Sequence, residues 1–134
     1  MIIYIRQAGN YKSVHALKNI KGGTRVLDLS GGDRVWKPTR TSVQLHSYST
    51  WQGDQAIQLE SVYGHDVHIE HEVGGCINHS CQPTCEIRSQ FLVALADIEE
   101  GDEITFDYNK NEKRLASPFE CRCCGKMIRG SDYE

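Results

Sequence analysis

The stretch GCINHSCQPTC, Gly75 to Cys85, combines three cysteines with an asparagine, a histidine and a proline. These residue types disfavour a regular strand or helix, so the stretch predicts a loop. A polar loop rich in thiols is also the kind of segment that contacts a ligand or a metal ion. Taken alone, the triplet Asn78-His79-Ser80 is more typical of a helix cap or a turn. The rest of the chain therefore decides what the stretch means.

The segments on either side of this loop predict a mostly β protein with little helix. Short β-branched or alternating runs are separated by turns that contain glycine. The predicted strands are MIIYIR, KSVHAL, TRVLDL, TSVQLH, QAIQL, DVHIE, FLVALAD and EITF. Only the segment from Lys110 to Ala116 is predicted to be helical, and the proline that follows would end it. His65, His68 and His71 fall on a strand and a turn, and we predict that they lie at the surface.

Length, charge and cysteine content narrow the class of protein. A chain of 134 residues fits one domain, which we divide into residues 1–116 and a cysteine-rich tail, residues 117–134. A net charge of -3 without any basic run argues against direct nucleic-acid binding. No window approaches the ~20 apolar residues of a membrane span, and the apolar start is too short for a signal peptide. We therefore expect an intracellular protein, cytoplasmic or nuclear, whose cysteines are metal ligands, core residues or catalytic groups rather than a disulfide framework.

Two later stretches give the loop its context. GDEITFDY, Gly101 to Tyr108, and FECRCCGKMIRG, Phe119 to Gly130, follow the loop in this order. Together the three stretches resemble the NHSCxPN, GEELTFDY and CxCGxxxCRG segments of the SET-domain protein-lysine methyltransferase family. Tyr11 to Gly31, YKSVHALKNIKGGTRVLDLSG, looks like that family's GxGVFAxxxIxxGxxIxxYxG segment. The chain is most similar to compact stand-alone members, and matching blocks span nearly its whole length.

The resemblance implies both a fold and an activity. The fold would consist of small, mostly antiparallel sheets around a knot-like crossing, in which the TFDY segment passes beneath the loop that contains NHSC. The activity would be transfer of a methyl group from S-adenosylmethionine to the side-chain amine of a lysine in a protein or peptide. Histones are the commonest substrates in the family. The motifs themselves encode neither the substrate protein and target lysine nor the degree of methylation and the oligomeric state.

The resemblance also assigns roles to individual residues. Tyr108 corresponds to the catalytic tyrosine, whose hydroxyl borders the transferred methyl group, and Phe106 with Tyr108 lines the channel for the lysine. An ordinary tyrosine pKa of ~10 argues against Tyr108 as a general base. Acidic side chains between Asp97 and Asp107 would favour a basic peptide. The predicted cofactor contacts are Lys12, Ser13, Val14, Asn78, His79, Tyr108 and Phe119.

The chain departs from the family pattern in its cofactor wall and before the loop. Tyr11 and Ser13 stand where the family has glycines, which let a backbone approach a ligand closely. Gly75-Cys76 replaces an Arg-Phe pair, and we predict that Cys76 fills the core. With a further departure at Ile128, these changes motivate a second interpretation, a catalytically silent SET-like module that serves as a binding surface.

The departure in the tail concerns metal binding, because Ile128 occupies the position of the family's final cysteine. Structural zinc prefers four nitrogen or sulfur ligands in a tetrahedron. Two interpretations stay open, a zinc site or a metal-free tail docked through Phe119 and Ile128. The zinc ligands would be Cys81, Cys121, Cys123 and Cys124, or a set of thiolates closed by water.

Overall fold

Strands dominate the computed structural model, which describes residues 2–35, 37–45, 49–52, 55–58, 67–112, 115–121 and 125–130. The strands are β1 Ile3–Ala8, β2 Tyr11–Ala16, β3 Arg25–Asp28, β4 Asp33–Val35, β5 Ser42–Leu45, β6 Ser49–Gln52, β7 Gln55–Gln58, β8 Val67–Glu70, β9 Asn78–His79, β10 Cys85–Arg88, β11 Phe91–Ala94, β12 Thr105–Phe106, β13 Phe119–Glu120 and β14 Met127–Ile128. The described residues also form two short 3-10 helices, Leu29–Gly31 and Gly74–Cys76, and one α-helix, α1, Tyr108–Asn111. The predicted class, mostly β with small antiparallel sheets, is confirmed.

The first two strands form an antiparallel hairpin that turns at Gly9, where a φ of 61° favours glycine. Four successive residues of β2, Ser13 to Ala16, are buried. A hairpin with one face in water would instead alternate between buried and exposed side chains. Here a second segment also packs on β2, since the amide of Ile104 donates to the carbonyl of Val14 at 2.7 Å. This contact brings the amino-terminal segment beside the start of TFDY.

Two antiparallel three-stranded sheets, ordered β10-β11-β3 and β4-β8-β5, contribute fully buried residues such as Leu92 and Ile69 to the core. His68 lies beside Ile69 on β8 and is only 7% exposed, so its predicted surface position is wrong. Because β8 is the middle strand of its sheet and both of its faces are covered, alternation does not bring His68 to solvent. His71 is partly buried, and His65 lies outside the described residues.

The segment that leads into the NHSC loop is fixed by close packing of two glycines. A Cβ atom at Gly74 would lie 2.5 Å from Leu29 Cδ2, and one at Gly75 would lie 2.9 Å from the carbonyl oxygen of Thr41. Real Cβ atoms do not approach this closely, so position 75 has no room for the arginine that the family pattern carries. Cys76 is partly buried and packs against the core, in line with its predicted role.

The TFDY segment lies directly against the NHSC loop. Strands β9 and β12 pair in parallel, with Asn78 opposite Thr105 and His79 opposite Phe106. The contact continues into the loop, where the amide of Thr84 donates to Thr105 Oγ1 at 3.1 Å and the amide of Thr105 donates to Thr84 Oγ1 at 3.0 Å. Two distant parts of the chain are thereby held side by side, as the implied crossing requires.

The helix after β12 differs from its prediction, which placed it over Lys110 to Ala116. The observed helix α1 starts at Tyr108, because the side chain of Asp107 accepts the amide of Asn109 at 3.0 Å and caps its first turn. It ends before Glu112, which is extended and directs a buried carboxylate to the amide of Gln44. A contact across the fold, rather than helix propensity, therefore sets this end.

The tail forms a hairpin, β13–β14, where the sequence shows no strand pattern. Ile128 is 1% exposed, and Asn109 Oδ1 accepts the amides of Arg129 at 3.0 Å and of Gly130 at 2.9 Å. The tail is thus docked on the body through Ile128 and the side chain of Asn109. Of the helices in the described ranges, none has the length and apolar character that crossing a membrane requires.

Candidate active site

Three segments of the chain meet at the side chain of Asn78. Its Nδ2 atom donates to the carbonyl oxygen of Lys12 at 2.9 Å, to Glu103 Oε2 at 3.0 Å and to the hydroxyl oxygen of Tyr11 at 3.1 Å. These bonds fix the amino-terminal hairpin and the segment before β12 to strand β9. The predicted cofactor residues Lys12 and Asn78 are therefore brought together.

His79 and Tyr108 are joined directly. The amide of Tyr108 donates to His79 Nδ1 at 3.0 Å, and the centroids of the two rings are 5.4 Å apart. The ring of Phe119 from the tail stands edge-on to both, at 5.8 Å from His79 and 6.0 Å from Tyr108. Phe106 lies 4.8 Å from Tyr108. Four residues that the sequence assigns to the site thus form one aromatic cluster.

Tyr108 is a hydrogen-bond donor in this cluster rather than a base. Its hydroxyl donates to the carbonyl of Ile77. Burial raises the pKa of the phenol well above its usual range, and the nearby charges of Glu112 and Glu103 raise it further. The phenol therefore keeps its proton at any physiological pH.

A small cleft opens beside Tyr108. Its lining residues are Arg40, Thr41, Ser42, Val43, Gly74, Gly75, Ile77, Phe106, Tyr108, Glu112 and Leu115. Glu112 is the acidic residue among them and is 3% exposed. Burial raises the pKa of its carboxyl to about 7, although hydrogen bonds from Gln44 and Asn111 oppose this rise.

Sequence reasoning missed Glu112, because it placed the acidic groups of the site between Asp97 and Asp107. The available signal was helical spacing, since Glu112 follows Tyr108 by four residues and its amide donates to the Tyr108 carbonyl at 2.8 Å. That signal has meaning only once Tyr108 is known to begin a helix.

The remaining predicted cofactor residues lie on β2 with different exposure. Lys12 is exposed, whereas Ser13 is 5% exposed and Val14 is fully buried. Ser13 Oγ lies 2.8 Å from His15 Nε2 and forms a buried hydrogen bond with it. The side chains of Ser13 and Val14 therefore face the protein, while Lys12 faces solvent. Their role as cofactor contacts stays a prediction.

The predicted metal ligands are described only in part. His79, Cys81 and Cys121 have ligand atoms within 4.8 Å of one another, and the two sulfurs are 3.6 Å apart. Two Zn–S bonds of ~2.3 Å at a tetrahedral angle place sulfurs about 3.8 Å apart, so this spacing suits a shared ion. Cys123 and Cys124 lie outside the described residues.

The histidine in this group is a poor ligand. Because His79 Nδ1 accepts the amide of Tyr108, the neutral ring carries its proton on Nε2. Burial lowers the pKa of His79, against the carboxylate of Asp107, and so favours this neutral form. Both nitrogens are then unavailable to a metal ion.

Cys81 is disulfide-bonded in the structure and would have to be reduced before it could offer a thiolate. Zinc binding stays a prediction that depends on the cysteines.

A comparison with family models identifies one match. The model described as SET domain matches residues 11–109, about three quarters of the chain. The matched range contains the amino-terminal segment, the NHSC loop and the TFDY segment, and it stops just after Tyr108. The matched range therefore includes these three segments of the resemblance, whereas the tail segment, Phe119 to Gly130, lies outside it.

Curated relatives agree with this match at low sequence identity. Histone-lysine N-methyltransferase ASHH2 of Arabidopsis thaliana is 28% identical over 114 residues, which are 78% of this chain and 6% of that protein. Histone-lysine N-methyltransferase ash1 of Drosophila melanogaster is 37% identical over 62 residues, 40% of this chain and 3% of that protein. Histone-lysine N-methyltransferase ASHH1 of Arabidopsis thaliana is 26% identical over 102 residues, 70% of this chain and 21% of that protein. The chain thus spans less than a quarter of the length of each.

Proposed function

The chain belongs to the SET-domain protein-lysine methyltransferase family, and from this premise we propose that it transfers a methyl group from S-adenosylmethionine to a lysine of a protein substrate. The relatives are named as histone-lysine N-methyltransferases, so histones are the first substrates to test. Tyr108 is the proposed catalytic residue, and Phe106 with Tyr108 lines the proposed lysine channel.

One observation carries this proposal, namely the bond from the amide of Tyr108 to His79 Nδ1. The NHSC loop and the TFDY segment could have folded on opposite sides of the molecule, which would leave each motif without a partner. Instead the two motifs share one aromatic cluster, and the backbone of Lys12 is bonded to the same loop through Asn78. A cofactor and a substrate would have to meet at such a junction.

The groups around this junction suit S-adenosylmethionine, which supplies a transferable methyl group on a cationic sulfonium. Exposed Lys12 offers a cation for a carboxylate. Phe119 is 37% exposed and offers an aromatic face on which a base can stack. In the described part of the chain, β9 has β12 as its strand neighbour on one side, so its other edge can present backbone groups to a ligand.

The cleft beside Tyr108 suits the amine that would receive the methyl group. A free lysine has a pKa of ~10.4 and must lose a proton before its nitrogen can attack. Ile77 and Phe106, 1% and 3% exposed, give the cleft apolar walls that disfavour the ammonium form. Tyr108 keeps its proton and cannot accept another, so we assign it to orienting the amine. Orientation of two reactants can contribute ~7 to 11 kcal/mol, so no strong base is required.

Methyl transfer can be tested with the purified chain, methyl-labelled S-adenosylmethionine and histones or histone-tail peptides. We expect labelled lysine in the product, identified by mass spectrometry. Tyr108→Phe should reduce the rate roughly 100-fold or more. The same variant should bind S-adenosylmethionine as the unchanged chain does in calorimetry, because the phenyl ring keeps the packing. Full activity of Tyr108→Phe would show that the centre has been assigned wrongly.

A catalytically silent module is the second candidate, and Tyr11 is the observation that favours it. The side chain of Tyr11 is 59% exposed, and its hydroxyl bonds to Asn78, at the place where the family has a glycine. A ring there would narrow the approach to β9. Calorimetry separates the two candidates, because a silent module would give no heat with S-adenosylmethionine.

A further inference from the structure

Among the described residues, the hydrogen-bond partners of the buried Glu112 carboxyl group are neutral. Its Oε2 accepts the amide of Gln44 at 2.9 Å and the Nδ2 group of Asn111 at 2.6 Å, and its Oε1 accepts the same Gln44 amide at 3.2 Å. Within the described ranges, no lysine, arginine or histidine nitrogen comes within 4.0 Å of it. Lys113 and Arg114 lie outside those ranges.

A buried carboxylate without a cation beside it is costly, because its charge has lost its water and gained little in exchange. Hydrogen bonds from neutral donors offset only part of the desolvation free energy of the carboxylate. The part that is not offset raises the pKa of the Glu112 carboxyl. A cation that enters from outside would recover more of it. Glu112 lines the cleft that also holds Tyr108 and Phe106. The enclosed space is about that of one water molecule, so the cleft must widen for a side chain to reach this carboxylate.

We propose that Glu112 selects a cationic side chain for this cleft by binding the ammonium group of the substrate lysine before methyl transfer. This inference rests on the proposed function, since it takes the cleft as the lysine channel. The apolar walls alone would accept an uncharged side chain of the same length equally well. The carboxylate is therefore the feature that distinguishes lysine from an apolar chain.

The same charge has an opposite effect on the chemical step. A carboxylate near an ammonium group stabilises the charged form and so opposes the loss of its proton. Glu112 should consequently improve binding of the substrate and leave the rate of the bound complex unchanged or slightly lowered. Its action is that of a specificity-determining residue, and the measured effect should appear in KM rather than in kcat.

Other charged groups near the cleft do not reproduce this role. Arg40, exposed at the cleft, would repel a cation. Tyr108 is neutral because its pKa is raised, and Glu103 is not among the residues that line the cleft. Gln44 and Asn111, which bind the carboxylate, are uncharged. A change in binding that follows the ionisation of one acid can therefore be assigned to Glu112.

A binding experiment tests the inference without requiring turnover. The probes are n-butylammonium, which mimics the lysine side chain, and n-butanol, which matches its length without the charge. Binding is followed at pH 8 by nuclear magnetic resonance, through the amides of Val43 and Ile77. We expect the unchanged chain to prefer the ammonium probe roughly 10- to 100-fold, the range of a hydrogen bond to a charged group. Glu112→Gln should lose that preference, and the exposed control Glu100→Gln, with the same change of net charge, should keep it.

The kinetic arm uses any peptide that the chain methylates. Glu112→Gln should raise KM roughly 10- to 100-fold without lowering kcat, and KM of the unchanged chain should approach that of the variant as the pH falls below about 7. Equal binding of the two probes to the unchanged chain, or a preference that survives Glu112→Gln, would overturn the inference. If no peptide is methylated, the proposed function fails, whereas the probe titration still decides the role of Glu112.

Discussion

The crossing and the tail both contribute side chains to the candidate site, but they are held by different forces. The crossing consists of β9, β12 and α1, and it is tied to the core by a strand ladder and by buried residues such as Phe106 and Ile104. The described part of the tail, residues 117–121 and 125–130, is held through Ile128 and through bonds to Asn109, and it leaves Phe119 and Met127 exposed. The comparison indicates that the core fixes the side chains of the crossing, whereas the described contacts that hold Phe119 in place come from Ile128 and Asn109.

The largest expected effect concerns Glu112, the residue directly after α1 of the crossing, because its buried carboxyl makes the free energy of unfolding depend on pH. Its folded pKa of about 7 lies above its ordinary value of 4.5, so the folded state holds a proton over this range that the unfolded state has lost. The contribution of Glu112 to the free energy of unfolding is therefore full below pH ~4.5. It falls by on the order of 3 kcal/mol as the pH rises from there through about 7, and it changes no further above that. In Glu112→Gln this pH-dependent contribution to the free energy of unfolding should be absent.

Urea unfolding of both proteins between pH 4.5 and 8 measures the difference. The free energy of unfolding of the variant, relative to that of the unchanged chain, should increase as the pH rises to about 7, because glutamine cannot ionise. Glu100→Gln, an exposed change of the same net charge, should follow the unchanged chain. Parallel pH profiles for Glu112→Gln and the unchanged chain would show that the buried carboxyl carries no such cost.

The second prediction separates the tail from the crossing. Asn109→Ala removes the oxygen that accepts the amides of Arg129 and Gly130. Leaving buried donors unpaired costs about 1 to 3 kcal/mol. Hydrogen exchange should therefore accelerate at 127–130, while β11 and β12 stay protected because their ladders do not involve the tail.

Asn109→Asp provides the matched control for this prediction. It keeps an oxygen acceptor for both amides and loses the donor to the Met127 carbonyl, a long bond of 3.4 Å. It also adds a buried charge, whose cost the two amide donors offset in part. Exchange in the tail should then stay close to that of the unchanged chain. Equal acceleration at the tail and at β11 in Asn109→Ala would mean that the two regions unfold as one unit.

The sequence anticipated the crossing better than the tail, and the physical reason is the range of the contacts. The NHSC and TFDY motifs could be paired through family resemblance, although Asn78 and Thr105 are far apart in the chain. Docking of the tail through Ile128 was one of two interpretations that the sequence left open. The part played by Asn109 could not be predicted, because its bonds to the tail backbone cross the fold. His68 was placed wrongly because alternation predicts exposure only for a strand with one open face.

Glu112 shows the same limit within the site itself. Its role depends on where α1 starts and on the position of Gln44 in β5, and neither is encoded in local periodicity. Helix propensity extended the predicted helix through Glu112, whereas the bond to Gln44 ends the helix there. The residues carried by motifs were predictable, and the residues fixed by packing were not.

The smallest expected effect on stability comes from substitution of Phe119. The same substitution tests whether the tail contributes to the proposed cofactor site. Its ring is 37% exposed and touches His79 and Tyr108 edge-on, so Phe119→Ala should cost at most about 1 kcal/mol of unfolding free energy. If the ring stacks on the cofactor, loss of ~1 to 3 kcal/mol of stacking should weaken S-adenosylmethionine binding roughly 5- to 100-fold in calorimetry. Met127→Ala, an exposed tail residue outside the aromatic cluster, should change neither quantity. Unchanged cofactor affinity in Phe119→Ala would place the cofactor away from the tail and restrict the proposed site to the crossing and the amino-terminal hairpin.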